Sequence, residues 1–283
     1  MMNKEVQPPL SREESDLVIN NKNLGINRII EIINRLTDKT NGCPWDQTQT
    51  NLSLAKHTIE EAYEVAEAVE TKSPDEIKKE LGDLLFNILF HIHLEEQNGV
   101  FNLTDVVDET VKKMVLRHPH VFSDEKVQTV SEVHEQWEKI KLVEKNIGPT
   151  GQIKKELKNI TSNIPALTQS AKIQEKVASI GFDWNASFEI INKIYEEIDE
   201  FIEESERNND LGALDELGDI LFSVVNLARF TGIDPETALR SANRKFVKRV
   251  VEMERLLNTV GKDMKNSNTE ELNRIWKKIK RGQ

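Results

Sequence analysis

Two stretches, "IEEAYEVAEAVE" at residues 59–70 and "YEEIDEFIEE" at residues 195–204, are dense in glutamate. On a helix, Glu60, Glu61 and Glu64 crowd one side, opposite an apolar stripe of Ile59, Ala62, Tyr63, Ala66 and Val69. Glu196, Glu197 and Glu200 repeat the pattern. Like charges at this spacing repel by a few tenths of a kcal/mol per pair, which a solvated acidic face would tolerate. The next acids are harder to leave in water. Glu80 with Asp83, and Glu216 with Asp219, stand at the start of runs that are apolar nearly all round, "LLFNILFHIHL" and "ILFSVVNLARF". Such helices are expected to be buried on most sides, where a carboxylate is costly unless paired or bound to metal. Gly82 and Gly218, between the acids, are expected to let another backbone approach closely.

Four or five carboxylates from two facing helices make a hard, all-oxygen, highly charged site. Mg²⁺, or Mn²⁺, favours that set, whereas zinc is expected with His or Cys. Carboxylate-bridged di-iron bundles need Glu-x-x-His pairs, and no Glu stands three positions before any of the six histidines. A divalent cation would turn mutual repulsion into shared attraction, and Mg²⁺ commonly binds through carboxylates together with substrate phosphates. Lys113 and Arg117, like Lys245 and Arg249, are four apart on a helical register. They could hold phosphate oxygens or serve as solubilising surface charge. Cys43 reads as a buried or partly buried thiol, His118 and His120 as shaping a turn around Pro119, and Trp45 and Trp184 as core anchors. Trp137 and Trp276 are open to stacking with a base.

The elements that must position these residues are helical. Ile26, Ile29, Ile30, Ile33 and Leu36 recur at three and four, and "TNGCPWDQTQT" breaks that helix. Further helices are expected over 54–71, from "SPDE" at 73–76 to Gly99, over 104–117 and over 130–143. Ser73 is expected to cap, with Pro74 in the first turn and Glu76 three residues after the cap. "SIGFDWN" and "GIDPET" punctuate the second half, and no stretch reads as a strand. The whole helical unit recurs: "KKELGDLLFNI" at 78–88 resembles "LDELGDILFSV" at 214–224, and Glu61 precedes Glu80 by 19 positions, as Glu197 precedes Glu216. "WEKIK" at 137 and "WKKIK" at 276 close the halves. The expectation is an all-α chain of two tandem helical-bundle repeats, with a flexible leader at 1–22, a first domain at 23–145, a linker at 146–164 and a second domain at 165–283.

The 283 residues carry a net charge of −11, with 37% hydrophobic and 6% aromatic residues. Nucleic-acid binders are usually basic, so none is expected as a partner. A single cysteine fits a reducing compartment, and the apolar runs are too short to span a bilayer. The polar N-terminus lacks the apolar stretch of a signal peptide. A cytoplasmic protein without membrane contact is expected.

Glu-Glu-x-x-Glu followed by Glu-x-x-Asp, here "EEAYE…ELGD" and "EEIDE…ELGD", resembles the signature of the MazG nucleoside triphosphate pyrophosphohydrolases, within the all-α NTP pyrophosphatase superfamily. "GCPWD" at 42–46, "RHPHVF" at 117–122 and "GFDW" at 181–184 are also MazG-like, and the resemblance covers about residues 26–281. It implies Mg²⁺-dependent hydrolysis of a nucleoside triphosphate to the monophosphate and pyrophosphate, in nucleotide-pool house-cleaning, by a helical homodimer. It implies Glu197, Glu200, Glu216 and Asp219 as metal ligands, with Glu61, Glu64, Glu80 and Asp83 as their first-copy counterparts. Glu196 or Glu60 would serve as base or orienter of the attacking water. Lys193, Lys245 and Arg249 would grip the triphosphate, as Lys113 and Arg117 would in the first copy, with Trp276 near the nucleotide. The second copy is favoured as the working one: it gathers Arg240, Arg244, Lys245, Lys248 and Arg249, and Lys193 stands one turn before Glu197 where the first copy has His57. The resemblance also implies a catalytic C-terminal copy. Alternatives are a narrower dUTPase-like or phosphoribosyl-ATP pyrophosphohydrolase, and a nucleotide-sensing or scaffold protein without turnover.

Overall fold

Helical hydrogen bonding accounts for all the regular secondary structure among the described residues of the computed structural model. These are residues 10–281 apart from 72, 124–125, 128, 131, 134–135, 138, 141–156, 158–159 and 161–163. Among them there is no strand. The chain divides into two compact units, Met1–Lys141 and Leu142–Gln283. Most of the expected linker at 146–164 and half of the helix expected over 130–143 lie outside the described residues.

The first unit holds α1 (Arg12–Asn20), α2 (Asn27–Leu36), α3 (Asn51–Thr71), α4 (Pro74–Gln97), α5 (Leu103–Arg117) and the short α6 (Pro119–Phe122). α1 lies inside the expected leader and corrects it. Ser11 and Glu14 form a capping box that starts α1, and Asp16 pairs with Arg35 of α2. α4 opens with Pro74 at its first position, but the hydroxyl of the N-cap residue Ser73 makes no capping bond, against expectation. Gly99 ends α4 in the left-handed region at φ 70°. There the amides of Gly99 and Val100 satisfy the carbonyls of Glu96 and Glu95.

The second unit holds α7 (Ala166–Ala178), α8 (Ser187–Glu206), α9 (Asp210–Phe230), α10 (Pro235–Thr259) and α11 (Thr269–Arg281). Gly232, at φ 72°, closes α9, and the Asp234 side chain caps α10 by accepting from the Thr237 amide at 2.7 Å.

In each unit the two acidic segments become an antiparallel helical hairpin, α3–α4 and α8–α9. Early residues of α3 pair with late residues of α4, as an antiparallel hairpin requires: Thr58 with His91 at 2.8 Å, Asn51 with His91 at 2.6 Å, and Asn51 with Glu95. Both hairpins bury the same register positions, Leu54 and Ile190, Asn87 and Ser223, Leu89 and Val225. Outside the hairpins the units differ. Ile33, Leu54, Leu89, Phe90 and Ile92 make one core joining α2, α3 and α4, with Leu103 and Val106 of α5 packed on it. In the second unit Met253, Leu257 and Ile279 make a core between α10 and α11.

The long apolar helices are less buried than their composition predicts. Leu81 and Ile88 of α4, and Leu217, Leu221 and Val224 of α9, are exposed. The described helices of each unit cover one side of its hairpin and leave another to solvent. Trp45 and Trp184 are likewise exposed rather than core anchors; Trp45 makes an edge-on ring contact with His57, at 6.0 Å between ring centroids.

Candidate metal centre

Spacing on α3 puts Glu61 and Glu64 on adjacent turns of one face, and the hairpin brings Glu80 of α4 against them. One carboxylate oxygen from each of the three lies within 4.8 Å of the others. Glu197 and Glu200 of α8 and Glu216 of α9 repeat the cluster within the same limit. Asp83 and Asp219 stand outside these tight triads but close enough to act on them electrostatically: Asp83 raises the pKa of Glu61, and Asp219 that of Glu216.

Proton affinities record the crowding. Glu61 and Glu216 are raised, first by loss of solvent and then by neighbouring carboxylates. Glu64 and Glu200 are raised chiefly by the close approach of a second carboxylate, Glu80 or Glu197. Glu80 is instead held down, first by its bond from Lys79.

A lysine meets each triad. Lys193 of α8 donates to Glu196 at 2.8 Å and lies 2.9 Å from Glu197, and these bonds raise its pKa. In the first unit His57 holds the corresponding position and bonds Glu60 at 3.0 Å. There the lysine comes from the other helix. Lys79 of α4 donates to Glu80 at 2.9 Å and lies 3.9 Å from Asp83. The sequence reading passed over Lys79, although it is visible in "KKELGD". His57 stands where the sequence placed it, and the first triad has a lysine of its own besides.

The donor set fits a hard divalent ion. All the converging atoms are carboxylate oxygens. The Glu80 side chain is only 12% exposed, and its Oε2 is buried without a hydrogen-bond partner, an acceptor open to a cation. Gly82 and Gly218 do not serve the expected close approach, since a Cβ at either would meet nothing within 4 Å.

The expected phosphate-binding residues lie on the third long helix of each unit. Lys113 and Arg117 are on α5, and Lys245 and Arg249 on α10. The guanidinium of Arg249 lies 5.9 Å from the centroid of the Trp276 ring, and Phe246 packs on the same ring at 5.3 Å. Trp137 packs comparably on His118, next to Arg117, at 5.2 Å. His118 closes α5 by bonding the Met114 carbonyl, and Cys43 is half-buried; both match expectation.

The family described as the MazG nucleotide pyrophosphohydrolase domain matches residues 49–122 and 186–252, and each segment contains one carboxylate hairpin. The chain is 39% identical over 258 residues to a nucleoside triphosphate pyrophosphohydrolase of Escherichia coli, covering 90% of this chain and 97% of that one. It is 40% identical over 242 residues to the nucleoside triphosphate pyrophosphohydrolase/pyrophosphatase MazG of Thermotoga maritima, covering 85% and 90%. It is also 41% identical over 243 residues to the uncharacterized protein YabN of Bacillus subtilis, covering 85% of this chain and 48% of that protein.

Proposed function

The chain belongs to the MazG nucleotide pyrophosphohydrolase family, and on that premise we propose that it hydrolyses nucleoside triphosphates between the α and β phosphates, giving a monophosphate and pyrophosphate. The observation that carries this reading is the pair of converging carboxylate triads, each met by a lysine.

Glu197, Glu200 and Glu216, with Asp219 beside them, would hold Mg²⁺ or Mn²⁺; Glu61, Glu64, Glu80 and Asp83 would do so in the first unit. When bound, the ion neutralises phosphate charge and makes water a usable nucleophile near neutral pH. Glu196 and Glu60 would orient that water and accept its proton; that each is solvent-exposed and adjacent to a triad member supports the role. Lys193, Lys245 and Arg249 bind phosphate oxygens and offset the charge that gathers on the leaving pyrophosphate, with Lys113 and Arg117 in the same role in the first unit. Trp276, fixed by Phe246 and Arg249, offers a face to the base.

A second copy of the chain would cover the apolar side of α9 at Leu217, Leu221 and Val224, which supports a homodimer. No helix among the described residues is long and apolar enough to cross a membrane, and one cysteine accords with a cytoplasmic setting.

The experiment is a panel of NTPs and dNTPs with Mg²⁺, reading pyrophosphate, on wild type beside Glu61→Gln and Glu197→Gln. Pyrophosphate release that Glu197→Gln abolishes is expected. Release confined to dUTP or to phosphoribosyl-ATP would narrow the substrate. Binding without any product would leave a sensor or scaffold.

A further inference from the structure

The corresponding positions of the two hairpins exchange charge in a coordinated way. Where α8 has Lys193, α3 has His57; where α4 has Lys79, α9 has Asp215. Lys193 reaches Glu197 from one turn earlier on the same helix. Lys79 reaches Glu80 as its chain neighbour and extends toward Asp83 one turn on. Each triad therefore meets a cation, delivered from opposite helices. Resting on the metal-dependent reading above, we propose that Lys79 is the resident counter-ion of the first triad: it neutralises Glu80 and Asp83 until a divalent ion arrives, then turns outward to hold the substrate's phosphate.

Three features support this. The Lys79 ammonium bonds Oε1 of Glu80 while Oε2 of the same carboxylate is buried without a partner, so one acceptor stays open while the other is covered. The Lys79 side chain is 69% exposed, and an exposed ion pair is weak enough to be exchanged. An ammonium between two proposed ligands also repels an incoming divalent ion, and its long flexible stem lets it leave for the nearest anion, which in the loaded site is the triphosphate. Lys79 is thus a positioning residue whose first effect is on the metal.

This predicts opposite changes in two affinities. The parent is the full chain with Glu197→Gln and Glu200→Gln, which disables the second triad. Mn²⁺ binding is followed by electron paramagnetic resonance. Binding of a non-hydrolysable α,β-methylene nucleoside triphosphate, with Mn²⁺ saturating, is followed by calorimetry. Lys79→Met should tighten Mn²⁺ binding by about five-fold, the factor matching the upper end of an exposed ion pair. It should weaken the nucleotide analogue by a similar factor, and Lys79→Arg should restore both. Unchanged affinities in Lys79→Met, with Mn²⁺ still bound, would overturn the role of Lys79 and leave the metal reading intact. A parent that binds no Mn²⁺ would overturn both for the first unit, and pyrophosphate release by the unmodified chain would still report on the second.

Discussion

Hairpins α3–α4 and α8–α9 share a register and differ in chemistry around it. Leu54 and Ile190 fill the same buried slot, as do Leu89 and Val225, and both hairpins converge three glutamates. The cation, however, comes from α4 in the first and α8 in the second. A second exchange lies further along the same helices. His93 of α4 is held by neutral bonds to Thr37 at 2.8 Å and Gln97 at 2.9 Å, whereas Arg229 at the matching place on α9 makes a two-pronged ion pair with Asp183. The carboxylates and the apolar slots at Leu54/Ile190 and Leu89/Val225 keep their character between the copies, while the groups that balance and anchor them do not. The geometry that gathers negative charge is the common element, and the means of neutralising it is interchangeable.

The largest effect should separate the copies as catalysts. Glu197→Gln should lower Mg²⁺-dependent pyrophosphate release by about 100-fold or more, the scale for removing a charged group from such a site. Glu61→Gln measured in parallel shows whether the first triad contributes, and equal losses would make the two sites equivalent. Removal of divalent ions with EDTA should silence both together, and saturating Mg²⁺ should raise each unit's unfolding temperature by ligand linkage.

Core truncation tests whether the units fold separately. Leu54→Ala and Ile190→Ala should each cost about 2–5 kcal/mol, read by calorimetry as a shift of one transition with the other unmoved. A joint shift would show that the two units unfold together.

The smallest effect is in acid. Burial lowers the pKa of His93 and His91 in the folded first unit. Their contribution is therefore full above the unfolded histidine value, about 6.5, and is lost as pH falls below it. Asp183 is lowered by the hydrogen bond from Arg229, so its contribution is full above the unfolded carboxylate value, about 3.9, and fades only below that. The first unit should begin to lose stability at higher pH than the second. His93→Gln should flatten the earlier loss in a pH series of thermal melts, and Asp183→Asn the later one.

The acidic spacing and the repeat were legible in the sequence because helical periodicity and a 19-residue interval survive in one dimension. The tight triads took three of each four expected ligands and left Asp83 and Asp219 at the edge, a distinction of a few ångströms that spacing does not carry. Lys79 was passed over because adjacent residues on a helix diverge by about 100°, and only the length of the lysine stem lets it curl back on Glu80. The helix over Arg12–Asn20 was hidden by polar composition, although Ser11 and Glu14 spell its capping box. Trp45 and Trp184 read as core because large aromatics usually are buried; their exposure depends on which surfaces the helices leave open.

The most direct measurement is anomalous diffraction from crystals of the chain grown with Mn²⁺ and a non-hydrolysable nucleoside triphosphate. The account predicts Mn²⁺ density among Glu197, Glu200 and Glu216, bridging to the phosphates, with the matching position among Glu61, Glu64 and Glu80 able to fill as well. Triphosphate bound with no ion at either triad, the carboxylates still gathered, would contradict it.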